Sequence, residues 1–130
     1  MNELANTLAV SASGMKAQAG RLRFLSENIA NADTPGYRRK TATFDQDMQA
    51  GQATGQVTTG PVVLDQQPLA RIYSPGHPLA DENGYYDGSN VDLIVEIADA
   101  REAQRSYEAN LKMFEQARQM SQSLLQLLRR

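Results

Sequence analysis

One stretch constrains this chain more than any other. From Val91 to Leu128 there is neither Pro nor Gly. Leu93, Ile97, Ala100, Gln104, Tyr107, Leu111 and Phe114 follow one another at alternating steps of four and three. That is the spacing of one helix face, and Ala117, Ser121, Leu124 and Leu128 continue it. At about 1.5 Å per residue such a helix runs to about 57 Å. Length without internal breakers points to a coiled coil or bundle. The opposite face carries Glu96, Asp99, Arg101, Glu102, Arg105, Glu108, Lys112 and Glu115. Pairs such as Glu108 with Lys112 contribute only roughly 0.2–0.5 kcal/mol each. The stripe therefore needs a partner surface.

Residues 3–31 supply one. Met1, Leu4, Leu8, Ser11, Met15, Gln18, Leu22, Leu25 and Ile29 fall at heptad positions a and d, which predicts a second helix. Ala5, Ala12 and Ala19 widen the stripe. Gly14 and Gly20 each cost about 1 kcal/mol in a helix interior, so close packing against a neighbour is expected there. Pro35-Gly36 suits a type II turn after that helix, and Pro35 keeps Thr34 out of the α region. Asn28 and Asn31 are placed to serve the last helical carbonyls. Tyr37 offers an apolar ring with one polar tip. The basic run Arg38–Lys40 reads as a solvated or partner-facing patch.

The middle is polar. Residues 41–60 read as a flexible connector in which Phe44 and Met48 make at most one helical turn. Residues 61–64 and 69–73 are strand candidates expected to pair with each other, with Tyr85-Tyr86 as a third strand. Ser89 or Asn90 is the expected N-cap of the long helix, with Asp92 in its first turn. The expected fold is mainly α: long terminal helices paired as a coiled-coil-like hairpin or bundle, with a small β-hairpin-containing middle. Residues 1–40 and 91–130 form the helical part, and 41–90 a projection. Its predicted seam runs Leu93–Phe114 against Leu8–Ile29, with Gln18 and Gln104 fixing register.

Chemistry is scarce. Cysteine is absent and His77 is the single histidine, which removes thiolate nucleophiles and His–His metal pairs. An EF-hand loop starting at Asp81 fails at Tyr85 and Tyr86. The carboxylates Glu96, Asp99 and Glu102 read as a solvated or interfacial face. No cofactor and no enzyme activity are expected. A net charge of −2 gives no general attraction to nucleic acid. No apolar run reaches the roughly 18 residues of a membrane span, and the N-terminus lacks a cleaved signal peptide pattern. A soluble coiled-coil adaptor or weak nucleic-acid-binding module, built on Arg38–Lys40, is the other reading of the residues.

Two segments carry a family likeness. Ser11–Gln18, Arg21-Leu22 and Ser26–Lys40 resemble the N-terminal signature of bacterial flagellar basal-body rod proteins. Glu102–Asn110 resembles the C-terminal signature of the rod and hook family. Tyr73–Pro78, Ala80–Tyr85 and Asn90–Asp92 are similar to its proximal-rod members. The ending Leu127–Arg130, the compact Asn31–Tyr37 turn and Tyr86–Ser89 depart from the family pattern.

The resemblance implies a structural subunit of the axial rod. It implies export through the flagellar type III apparatus and residence in the basal body within the periplasmic space. Its implied partners are its own copies, other proximal and distal rod proteins, the export apparatus and the surrounding rings. The positions expected to pack subunits are Leu8, Met15, Leu22, Asn28, Ile29, Asn31, Pro35, Gly36 and Tyr37 at one end. At the other they are Gln104, Arg105, Tyr107, Glu108, Asn110, Leu111 and Phe114.

Overall fold

The structure, a computed structural model, describes residues 2–129; the heptad assignment of Met1 lies outside them. Two helices bracket the chain, α1 (Asn2–Ala30) and α2 (Leu93–Leu128). Between them lie β1 (Lys40–Thr41), β2 (Phe44–Gln49), β3 (Gln52–Thr59), β4 (Val63–Leu64), β5 (Arg71–Tyr73) and β6 (Tyr85–Asp87). The strands form three separate antiparallel ladders, β1–β4, β2–β3 and β5–β6. The helix bounds agree with the sequence pattern to within two residues, because stripe, breakers and caps coincide there.

α1 and α2 pack antiparallel. Asn28 meets Glu96, Arg21 meets Asp99 and Glu102, and Gly14 meets Asn110. The centre of the seam on α2 is Glu96, Ala103, Asn110 and Ala117, spaced by seven. Glu96 and Ala103 are 0 % exposed. On α1 the facing positions are Gly14, Arg21 and Asn28, with Ser11 and Leu25 buried beside them. The fully buried apolar side chains among the described residues are Ala17, Leu25, Ala103 and Ala117.

The expected seam is thus turned. Leu93 and Ile97 are 47 % exposed and Leu111 37 %, and Gln104 is exposed, so it does not fix register inside the pair. The physical reason is size. Small side chains at the centre let the helices approach closely, whereas the large aliphatic side chains would hold them apart. A Cβ built on Gly14 would lie 2.7 Å from Asn110 Oδ1, so the close approach expected of this glycine is made to a side-chain amide.

The large residues sit one step further round. Leu8, Met15, Leu22 and Ile29 each lie near a seam position of α1, and Ile97, Gln104 and Leu111 each follow one on α2. One residue turns about 100°, and in an antiparallel pair the same sense of rotation leads to the same side. Both stripes therefore run along one side of the pair. The β2–β3 hairpin lies on the other: Ser13 Oγ accepts from Val57 N at 3.1 Å, Gly55 abuts Val10 and Gly20 abuts Thr59.

Residues 41–60 are consequently no connector. Phe44 and Met48 belong to β2, not to a helical turn. β2 and β3 are joined by Ala50 (φ 51) and Gly51 (φ 78), the two left-handed residues of a type I′ hairpin turn. The two strand candidates after Gly60 do not pair with each other either. β4 closes on β1, and β5 closes on β6, Ile72 opposite Tyr86. The β5–β6 lobe is held by Arg71, which bonds Asp87 at 2.9 Å and Asp81 at 2.8 Å. His77 stacks on Tyr86 at 3.9 Å. The N-cap of α2 is Asp92, which accepts from Ile94 N at 3.1 Å. Ser89 and Asn90 are drawn away by partners in the turn after α1 and in the loops.

Candidate subunit interface

Where α1 ends and α2 begins, one polar knot ties four segments together. Pro35 forces the turn, and Tyr37 N closes it on Thr34 O at 3.2 Å, with Gly36 at φ 75 as a type II turn requires. The chain then runs back past the end of α1. Asn28, 0 % exposed, uses its whole amide there. Its Oδ1 accepts from Tyr37 OH and from Lys40 N, both at 2.8 Å. Its Nδ2 donates to Lys40 O at 2.9 Å and to Glu96 Oε2 at 3.2 Å. Glu96 Oε1 accepts from Arg39 Nε at 2.6 Å. Arg39 also reaches Asp65 and Asp99, each at 3.5 Å. Asn90 accepts from Arg39 N at 2.7 Å and donates to Asp65 O at 2.9 Å. Ser89 Oγ donates to Ala32 O.

The charges follow from this geometry. The hydrogen bond to Glu96 raises the Arg39 pKa above the guanidinium's usual value, so the guanidinium stays charged. Burial raises the Tyr37 phenol, and its OH remains a donor to Asn28. The basic run, expected as a solvated or partner-facing patch, bonds within the chain. Arg38 bonds Asp65 O and Gln67 O, and Lys40 bonds Glu27 at 3.0 Å. Glu96, expected on a solvated or interfacial face, is the largest fully buried side chain among the described residues.

The predicted packing residues divide accordingly. Asn28, Tyr37 and Asn110 are engaged within the chain. Asn31 finishes α1, its Nδ2 donating to Glu27 O at 2.8 Å. Pro35 and Gly36 are exposed, and Gly36 N meets Gly88 O at 3.1 Å. Leu8, Met15, Leu22, Tyr107 and Phe114 are half-buried along the open side of the pair. Ile29, Gln104, Arg105, Glu108 and Leu111 are exposed. Sequence reasoning missed Arg39, Asp65, Asn90 and Glu96 as one unit. The only signal was an acid, Glu96, at seven-residue spacing with Ala103, Asn110 and Ala117.

Among the described residues no group of three His, Asp or Glu side chains is placed to hold a metal ion, and no helix is long and apolar enough to cross a membrane. What the arrangement offers is a rigid helix pair, locked at one end, with large apolar side chains turned outward. Ile94 is 80 % exposed, and Met113, Met120 and Leu127 are each more than half exposed. So much outward apolar surface belongs to a protein that is completed by neighbours.

Comparison with known proteins agrees. Residues 8–38 match the family model "Flagella basal body rod protein", and residues 82–127 match "Flagellar basal body rod FlgEFG protein C-terminal". The first covers most of α1 and its turn; the second covers β6 and almost all of α2. The chain belongs to the flagellar basal-body rod protein family, and is a structural subunit of the rod, not an enzyme. Over 99 % of its length it is 40 % identical to the flagellar basal-body rod protein FlgC of Agrobacterium fabrum, covering 98 % of that protein. It is 38 % identical to FlgC of Salmonella typhimurium, over 95 % of this chain and 97 % of that one. FlgC of the Acyrthosiphon pisum Buchnera aphidicola is 31 % identical, over 90 % and 92 % of the two chains. These relatives make it a proximal-rod protein of the FlgC type, which assembles with other components of the flagellar basal body.

Proposed function

We propose that the chain polymerises helically through its terminal helices to build part of the axial drive shaft. In this reading α1 and α2, within residues 1–40 and 91–130, pair in a coiled-coil-like manner as the shaft core. Residues 41–90 form the surrounding layer. The observation that carries it is the division of side chains by size. Apart from Leu25, the seam within one chain is filled by Ala103, Ala117, Gly14 and polar partners, while Leu93, Ile97 and Leu111 are left exposed. Burying them between subunits contributes about 25 cal/mol per Å² of apolar surface.

Export through the type III apparatus without a cleaved signal, and a final place in the periplasmic space, belong to the same proposal. So do its neighbours: proximal and distal rod subunits, its own copies, the export apparatus and the surrounding rings. The reading as an adaptor or nucleic-acid-binding module loses its main support, since Arg38, Arg39 and Lys40 all bond within the chain.

The test is direct. Basal bodies purified from motile cells should contain the chain in the rod, and Tyr107→Ala with Leu111→Ala should leave synthesis intact while blocking rod assembly. Basal bodies that lack the wild-type chain contradict the proposal.

A further inference from the structure

We propose that the cleft between α1 and β3 receives, from a second copy of this chain, the edge of α2 that carries Met113, Met120 and Leu127. The inference rests on the polymer reading above and names one of its contacts.

The receiving surface is a groove. Ala9 and Ala12 of α1, facing residues 56–59 of β3, border an open volume of about 470 Å³. Directly along the helix, Ala19 and Gly20 with Thr59 and Gly60 border a further 460 Å³ or so. Lys16 and Thr59 line both, so the two volumes form one channel. Ala12 and Ala19, seven residues apart and both exposed, line it on the α1 side, with Phe24 and Val62 at its far end. From Ala9 to Phe24 its lining extends about 22 Å along the helix.

The entering surface has the matching form. Met113, Met120 and Leu127 also recur every seven residues and span about 21 Å. They are 54, 52 and 63 % exposed. They sit beside the seam on the edge of α2 opposite to Ile97 and Leu111. Large side chains at a seven-residue interval fit between small ones at the same interval, as knobs into holes. The flanking positions Ala109, Gln116 and Ser123 are uncharged.

The occupant cannot be the chain's own α2. In the antiparallel register that sets Gly14 against Asn110, position 120 lies level with residue 4. That is eight residues, or about 12 Å, from Ala12. Groove and ridge are two different surfaces on one molecule, so the contact between copies is heterologous. Each added copy presents a fresh groove and a fresh ridge, and the assembly grows without closing on itself.

The chain has no cysteine, which makes the test clean. The Ala12→Cys, Met120→Cys double variant is expressed in place of the wild type, and its basal bodies are purified and mildly oxidised. Disulfide-linked dimers and higher multiples are expected from the double variant, with the 12–120 peptide found by mass spectrometry. Each single variant should remain monomeric. Multiples from a single variant alone, or a 12–120 disulfide missing from subunits that incorporate normally, overturn the contact and leave the rod reading standing. A thiol–amine cross-link from the Met120→Cys variant to a different rod protein overturns the second copy as occupant. Absence of the wild-type chain from basal bodies overturns the rod reading itself.

Discussion

Replacing Asn28 by Ala removes one small side chain and strips partners from four groups. Lys40 N–H and Tyr37 OH lose their acceptor, and Lys40 O and Glu96 Oε2 lose a donor. Lys40 and Tyr37 are half-buried, so water re-satisfies part of what they lose. Glu96 is 0 % exposed, and water does not reach its carboxylate without opening the seam. A hydrogen bond to a charged group is worth about 1.5–3 kcal/mol, and an orphaned buried neutral group costs about 1–3 kcal/mol. Counting the carboxylate fully and the half-buried Lys40 and Tyr37 groups lightly gives a loss of roughly 3–5 kcal/mol. Against a total stability of about 5–15 kcal/mol this is severe. With about 2.1 cal/mol/K of unfolding entropy per residue, the melting temperature falls by roughly 11–18 °C. Urea unfolding followed by circular dichroism measures it. Asn31→Ala, whose side chain meets only Glu27 O and the Thr34 hydroxyl, is the control and should cost about 1 kcal/mol. Asn28→Asp should cost at least as much as Asn28→Ala, because it sets a second carboxylate oxygen beside Glu96. A loss below about 1 kcal/mol for Asn28→Ala, with an unchanged urea slope, would refute the idea that this knot locks the helix ends.

Other outcomes follow from the same structure. Gly14→Ala pushes a methyl group into Asn110 and should cost roughly 1–2 kcal/mol; adding Asn110→Ala should restore stability to wild type or above, since helix propensity improves by about 1 kcal/mol. Ala50→Gly relieves the left-handed residue of the β2–β3 turn and should stabilise the chain by about 1 kcal/mol in urea unfolding. Burial raises the Tyr37 pKa from its usual 10.0, so the protonated phenol favours the folded state. That contribution is full below pH 10.0 and is lost as pH climbs through the raised folded value. Stability measured against pH in that alkaline window should therefore fall less steeply for Tyr37→Phe than for wild type.

The two helices were legible because period and breakers agree. Thirty-odd residues without Pro or Gly admit little else, and Pro35-Gly36 punctuates α1. The hairpin was hidden for local reasons. β2 reads Phe-Asp-Gln-Asp-Met-Gln, without clear alternation or β-branched residues. Its turn is Ala50-Gly51, where Asn-Gly would have been the recognisable signal. A bulge shifts the register between Gln46 and Met48, and Thr54 fills it by donating to Asp47 Oδ2 at 2.9 Å. Strand partners were misassigned because β1 and β5 are too short to declare their pairing. Asn90 lost the capping role to Asp92 because its amide binds Arg39 N and Asp65 O, contacts that no local pattern encodes. The seam was misplaced for a more general reason. A hydrophobic stripe marks where a helix buries surface, but not whether its partner lies in the same chain. Here the small and polar positions meet inside the subunit, and the stripe of large residues is left for neighbours. Glu96 was unreadable because an acid on a helix is ordinarily solvated; only the return of Arg39 and Asn28 makes it a core residue.

The central claim is that the outward stripes serve assembly and not the fold of the single chain. The variant Leu93→Ser, Ile97→Ser, Leu111→Ser measures this most directly, scored for its urea midpoint and for incorporation into purified basal bodies. The account predicts a midpoint close to wild type, because these side chains are 47, 47 and 37 % exposed in the subunit, together with loss of the chain from the rod. A variant that unfolds as a monomer, or one that fills the rod at wild-type level, would contradict it.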